Sequence, residues 1–155
     1  LNTSYDKAHK LYHPPIKHFL ESFGYYDIFL VDNQGNIVYS VFKELDYATN
    51  LLSGPYKNSG LAEAFNGAKS KVKNDFFLVD FKPYYPTYEA AASFMAAPVF
   101  QGGERHGVFI FQMHVDAINS IMTYDGKWTV AGLGTSGQTY SVFKPQLTLP
   151  ENREM

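Results

Sequence analysis

The chain has 155 residues, enough for one domain with a real core, and its formal net charge of −2 offers no basic field to a nucleic-acid backbone. It contains no cysteine, which excludes disulfides, thiolate metal sites and thiol catalysis. Aromatic residues make up 17%, with 12 Tyr and 13 Phe against a single Trp, a composition suited to half-wet surfaces or a lined cavity.

Leu1, Tyr5, Ala8 and Tyr12 fall on one helical face, which predicts the end of a longer helix over the first dozen residues. The Pro14-Pro15 pair should break it. A second helix is expected from the spacing of Ile16, Phe19, Leu20 and Phe23, with Gly24 as its C-terminal cap, so that residues 1–23 form an N-terminal helical region. Residues 26–31 and 37–42 are two β-rich runs. Between them Asp32-Asn33-Gln34-Gly35-Asn36 supplies the side chains and the glycine of a tight reversal, which predicts a β-hairpin.

Beyond a mixed polar stretch with Ser53-Gly54-Pro55 as punctuation, Ser59 is placed to cap a helix bearing Leu61, Ala64, Phe65 and Ala68. Residues 76–81 read as a strand, 82–88 as a Pro-Tyr loop and 91–100 as a strand of small residues. Gln101-Gly102-Gly103-Glu104 then turns the chain into a strand over 107–113. Val115, Ile118 and Met122 suggest a short helix, residues 132–137 a glycine-rich turn, and 139–143 a last strand. Residues 24–143 thus form one domain, and 144–155 a frayed polar tail. Strands joined in succession by short turns pair antiparallel, so the fold class is α+β, with one central antiparallel sheet of about five strands and helices packed against it.

The run from Gly24 through Asp32, the turn, and Asn36 through Glu44 resembles the opening hairpin of Cache sensor domains, the PAS-like modules of bacterial chemoreceptors and sensor histidine kinases. The likeness continues in order through Leu45-Asp46-Tyr47-Ala48-Thr49-Asn50-Leu51 with Gly54-Pro55-Tyr56, through Ser93-Phe94-Met95-Ala96-Ala97-Pro98-Val99-Phe100, through residues 107–112, and through Gly132-Leu133-Gly134-Thr135-Ser136-Gly137-Gln138-Thr139-Tyr140. It spans residues 12–142. The resemblance implies a PAS-like sheet after a long N-terminal helix, a periplasmic position on an inner-membrane protein, transmembrane helices outside the stretch given, and a cytoplasmic output. It also implies a small-molecule ligand, with the loop of Tyr47 and Tyr56 as a lid. Phe143-Lys144-Pro145-Gln146 departs from the charged continuation of two-lobed members, which points to a single module.

The residues themselves carry no catalytic constellation. His9 and His13 are four apart and could hold a transition metal, but Pro14 follows and no third ligand stands nearby, so they read as a solvated helix end. Residues 132–137 lack the preceding strand and following helix of a phosphate cradle. Glu44 and Asp46 read as solvated loop acids. We therefore expect a non-enzymatic binding domain without a metal or other cofactor. A haem would need His106 or His114 as axial ligand. No apolar run approaches the length of a membrane span, and with Leu1 at its start the chain reads as a soluble fragment of a longer protein.

The aromatic loop holding Tyr85 and Tyr88 between prolines is the first candidate for ligand contact, because rings exclude water while hydroxyls bond a polar solute. Ala90, Ala91, Ala92, Ser93, Ala96 and Ala97 keep the next strand slim, which either leaves space for a cavity or lets a helix pack closely. Alternation gives two faces: Ser93 and Met95 with Phe109 and Phe111 on one side, Val108, Ile110 and Gln112 on the other. We favour the Ser93 side. The expected contacts are thus Tyr47, Tyr56, Tyr85, Tyr88, Ser93, Met95, Phe109 and Phe111. Their ligand would be a small organic acid or amino-acid-like solute, although no arginine stands ready to clamp a carboxylate and Arg105 lies in a turn. A homodimer through the N-terminal helix is the other expected partnership. The rival reading is a cytoplasmic PAS-like dimerisation module that binds no ligand.

Overall fold

The computed structural model describes residues 3–127 together with Thr129, Val130, Gly132, Gly134, Gly137, Ser141, Val142, Leu147 and Thr148. Two compact units emerge, Leu1–Met113 and His114–Met155.

In the first unit a single helix, α1, runs from Ser4 to Phe23. Thr3 and Asp6 form a reciprocal capping box at its start, and Gly24 closes it in the left-handed conformation at φ 69°, with its amide bonded to the Leu20 carbonyl. The break expected at Pro14-Pro15 does not occur. The two prolines remove only the amides that would have bonded the carbonyls of Lys10 and Leu11, and all four residues are exposed, so water can take those carbonyls. Packing of Ile16 and Leu20 against the sheet holds the helix through this point.

The hairpin forms as expected from β1 (Asp27–Asp32) and β2 (Ile37–Ser40). Asp32 Oδ1 accepts the amides of Gln34 and Asn36 across the turn, and Gly35 takes the positive φ of 86° that the reversal needs. Helix α2 (Gly60–Ala68) starts at Ser59, whose hydroxyl accepts the Ala62 amide. Strand β3 (Phe77–Pro83) leads through a 3₁₀ turn (Tyr85–Thr87) to β4 (Ala91–Gln101) and β5 (Glu104–His114). β5 is longer than expected at its start because pairing continues to the turn at Gly102-Gly103. The five strands form one sheet in the order β2-β1-β5-β4-β3, with antiparallel pairs at β1–β2, β1–β5 and β3–β4.

Register decides what each face carries. Asp27, Phe29 and Val31 of β1 stand opposite Gln112, Ile110 and Val108 of β5, and this inner face packs with Leu61, Phe65 and Ala68 of α2. Ile28 and Leu30 stand opposite Phe111 and Phe109, and this outer face receives Ile16 and Leu20 of α1. The slim β4 serves close helix packing: Ala92, Phe94 and Ala96 share the inner core with Ala62, Ala64 and Ala68, and a side chain on Gly60 would meet the Phe94 ring at 3.2 Å.

In the second unit α3 (Val115–Thr123) begins at His114, whose Nδ1 accepts the Asp116 amide, and β6 (Ser141–Val142) pairs with β7 (Leu147–Thr148). β6 falls within the expected last strand and β7 within the expected tail. The rest of both stretches, and most of the glycine-rich turn, lie outside the described residues.

Gly107 faces Asp32 across the β1–β5 pair, and a Cβ there would lie 2.3 Å from the Val31 carbonyl oxygen. Gly107→Ala should lower unfolding free energy by about 1–3 kcal/mol, the usual cost of forced overpacking. Urea denaturation checks this, and an unchanged midpoint would contradict the close approach.

Candidate functional site

At one end of the inner face the core changes from apolar to polar. Asp27 and Gln112 face each other in register, and each is 0% exposed. The loop after β2, carrying Lys43 at φ 54° and Ala48 at φ 60°, brings in Glu44 and Asp46, and Asp46 is also 0% exposed. Asp46 and Glu44 are therefore not both solvated loop acids as expected. The turn from Glu44 to Tyr47 directs the Asp46 carboxylate inward, where the buried Tyr84 hydroxyl donates to Oδ2 at 2.5 Å. Glu44 is half-buried, with Oε1 accepting from the Tyr26 hydroxyl at 3.0 Å.

Each acid keeps one oxygen without a hydrogen-bond partner among the described residues. Asp27 Oδ1 accepts the amides of Ile28 and Val41, while Oδ2 has none. Asp46 Oδ1, Glu44 Oε2 and both amide atoms of Gln112 are likewise buried and unpaired. A native interior pairs nearly all such groups, so their concentration at one spot makes this end of the inner face the candidate site. Burial, reinforced by the neighbouring negative charge of Asp46, pushes the Asp27 carboxyl up to about 7. Burial also raises Asp46, with Glu44 adding to the effect and the Tyr84 hydrogen bond and the backbone amides of Asp46 and Tyr47 opposing it. Burial and Asp46 raise the Tyr84 and Tyr56 phenols, and burial with the Glu44 hydrogen bond lifts Tyr26 to about 12.

The eight residues singled out in the sequence do not converge. Tyr47 and Tyr56 pack against the inner core, and Tyr85 lies near enough to Tyr56, and Tyr88 to Tyr26, for their charges to interact. Tyr85 and Tyr88 are 65% and 98% exposed. Ser93 is buried with its hydroxyl donating to the Val79 carbonyl at 2.7 Å, and Met95 pairs with Leu78 rather than with the inner-face residues. Phe109 and Phe111 lie on the outer face. There they line two apolar grooves beside α1, one of about 460 Å³ with Tyr5, His9, Tyr12 and Tyr39, the other of about 270 Å³ with Phe19 and Ile28.

Of the polar side chains that line the larger groove, Tyr5, His9 and Tyr39 are already engaged. Lys43 donates to His9 Nε2 at 2.7 Å, His13 Nδ1 lies 2.9 Å from the Tyr39 hydroxyl, and Tyr47 donates to Tyr5 at 2.9 Å. The His9 and His13 rings stack at 4.4 Å. His106 is exposed beside the β4–β5 turn, and His114 sits 2.8 Å from Asp116. Among the described residues no group of three His, Cys, Asp or Glu could hold a metal ion. Asp27, Tyr26 and Tyr84 are not among the sequence candidates, Glu44 and Asp46 read there as solvated loop acids, and Gln112 enters only as the alternative face. The signal was parity: Asp27 shares its strand face with Phe29 and Val31, and Gln112 with Ile110 and Val108.

No family model matches the chain, and no curated protein matches it. Solved structures do. The sensor domain of the V. cholerae histidine kinase DctB matches at TM-score 0.54 and 20% identity, over 75% of this chain and 40% of that one. The sensory domain of the Campylobacter jejuni chemoreceptor Tlp3 (CcmL) matches at TM-score 0.60 and 13% identity, over 96% of this chain and 54% of that one. The Tlp3 ligand-binding domain in complex with 4-methylisoleucine matches at TM-score 0.55 and 12% identity, over 72% and 41%. The chain thus spans about half or less of the length of the domains it resembles. Its fold is the PAS-like sensor-domain fold that the resemblance to Cache domains implied.

Asp27 makes the site testable without a ligand. Between the ordinary carboxylate value of 3.8 and about 7, the folded chain binds a proton that the unfolded chain has lost. Stability contributed by this group therefore falls as pH rises through that window, by at most about 1.4 kcal/mol per unit, and is level above it. Asp27→Asn keeps the Oδ1 acceptor and removes the titration. Measured by urea denaturation from pH 4 to 8, the variant should gain on the parent up to about pH 7 and then hold its advantage. A constant difference would contradict a buried, titrating Asp27.

Proposed function

We propose that this chain is the extracytoplasmic sensing domain of a bacterial membrane receptor, a chemoreceptor or sensor kinase, and that it binds a small polar solute rather than catalysing a reaction. The observation that carries this reading is the buried end of the inner face, where carboxylate and amide atoms of Asp27, Glu44, Asp46 and Gln112 have no protein partner. Selective small-molecule sites pair an enclosing apolar wall with a few convergent polar groups. Phe29, Phe94 and Ile110 supply the wall here, and the four polar side chains supply the groups.

Tyr26, Tyr56 and Tyr84 enclose the site, Tyr85 and Tyr88 form its outer rim, and Tyr47 carries its occupancy towards α1 through the hydroxyl of Tyr5. Phe109, Phe111 and Met95 support the sheet from the other side. Output passes through α1 to membrane-spanning segments elsewhere in the receptor. None of the described helices is long and apolar enough to cross a membrane itself. Two copies of the domain pair through α1, whose exposed Tyr5, Tyr12 and Phe19 recur every seven residues.

A thermal-shift screen against small metabolites tests the reading. A ligand at 100 times its Kd should add about 2.7 kcal/mol to stability. Asp46→Asn and Gln112→Leu should remove that shift, whereas Phe109→Leu should lower the baseline and keep it. The opposite pattern would place the ligand in the groove beside α1, and no stabilising compound in a broad screen would count against the sensor reading.

A further inference from the structure

We propose that the buried acidic cluster selects an amine that carries no carboxylate, and that it discriminates against the α-amino acid with the same side chain; this rests on the cluster being the ligand site. The inventory of unpaired atoms gives the reason. Among the described residues, the buried side-chain atoms without a partner are four acceptors, namely Asp27 Oδ2, Glu44 Oε2, Asp46 Oδ1 and Gln112 Oε1, and one donor, Gln112 Nε2. A primary ammonium is the complement of such a set, because it brings three N–H donors, a positive charge and no acceptor.

A ligand carboxylate has no corresponding place. The phenols that reach the cluster already donate inward, Tyr84 to Asp46 at 2.5 Å and Tyr26 to Glu44 at 3.0 Å, and so cannot also donate to a bound acid. The described cations nearest in sequence are committed elsewhere. Lys43 bonds His9 and lies over the Tyr39 and Tyr47 rings, Lys82 pairs with Glu63, and Arg105 donates to Asn33 and to the Lys69 carbonyl. The charges that act on Asp27 and Asp46 are negative, each acid feeling another acid of the cluster. A zwitterion would gain at its ammonium and lose at its carboxylate. Removing the carboxylate keeps the gain and deletes the loss. The Tlp3 domain above was solved with 4-methylisoleucine; in this chain the same fold encloses acids without a counter-cation.

Matched pairs differing only in the carboxylate test this: isobutylamine against valine, ethanolamine against serine, putrescine against ornithine, and phenethylamine against phenylalanine. Calorimetric titration of the 155-residue chain at pH 8 should give, for at least one pair, a Kd at least tenfold and up to about 100-fold lower for the amine. That range is what one extra like charge about 6 Å away produces at an effective dielectric near 20. In Asp46→Asn, and separately in Asp27→Asn should the first fail to fold, amine affinity should fall and the ratio within the pair should shrink towards one. An amino acid that binds as tightly as its amine overturns the inference and leaves the sensor reading standing. So does binding of succinate, lost in Asp46→Asn, when no amine binds. Failure of all these probes, together with an empty metabolite screen, sinks both.

Discussion

The structure turns on carboxylates placed in the interior with no opposite charge to meet them. Taking an ionised carboxylate out of water costs several kcal/mol unless something in the interior compensates it. Asp27 recovers part of that cost through the chain itself, since its Oδ1 receives the amides of Ile28 and Val41 and so ties the start of β1 to the residue that follows β2. Asp46 recovers part through Tyr84. The rest is borne by the inner core, where Phe29, Phe65, Phe94 and Ile110 are fully buried and each contributes roughly 1.5–3 kcal/mol. An interior organised only for stability would place apolar side chains at these positions. Retaining three acids there is intelligible when a cation from outside is their partner.

The loop that supplies two of those acids also touches the helix. Glu44 and Asp46 turn towards the cluster while Lys43 and Tyr47 turn to α1, where they meet His9 at 2.7 Å and Tyr5 at 2.9 Å. The two directions are set by neighbouring residues of one short loop, whose backbone takes positive φ at Lys43 and Ala48. Packed chains of this kind carry coupling when the element between the sites has two discrete arrangements. A tight loop held by side chains on both flanks is suited to that, and α1 continues beyond its proline pair as one helix.

Much of this fold was legible in the sequence because it is written in period. Alternation in residues 26–31 and 107–113, the turn Asp32-Asn33-Gln34-Gly35-Asn36, the Ser59 cap and the Gly24 stop each had a local physical cause, and each element formed, with β5 starting three residues earlier at Glu104. The proline pair misled because propensity is local while the anchoring of Ile16 and Leu20 is tertiary. The site was harder. Tyrosines and alanines drew attention as the usual lining of a cavity, yet Ala92 and Ala96 accommodate α2, and the deciding residues were an aspartate and a glutamine at the parity of buried positions. Whether such a residue is a solvated strand end or a buried partnerless group depends on what the distant loops at 43–47 and 84–90 place over it, which no local pattern encodes.

Divergence among these domains follows the same division. At 12–20% identity the sheet and its flanking helices persist, since many apolar combinations fill an alternating face. The polar end of the inner face in this chain has no such tolerance, because each unpaired acceptor or donor there calls for a complementary group. In the wider apolar groove beside α1 the His9 imidazole and the Tyr5 and Tyr39 hydroxyls already bond neighbouring side chains, so that groove offers a solute mainly apolar surface. On the proposed reading, recognition rests on four side chains at one end of the inner face, Asp27, Glu44, Asp46 and Gln112. On that reading the shared negative sign of the three acids, rather than the fold they sit on, sets what the domain can detect.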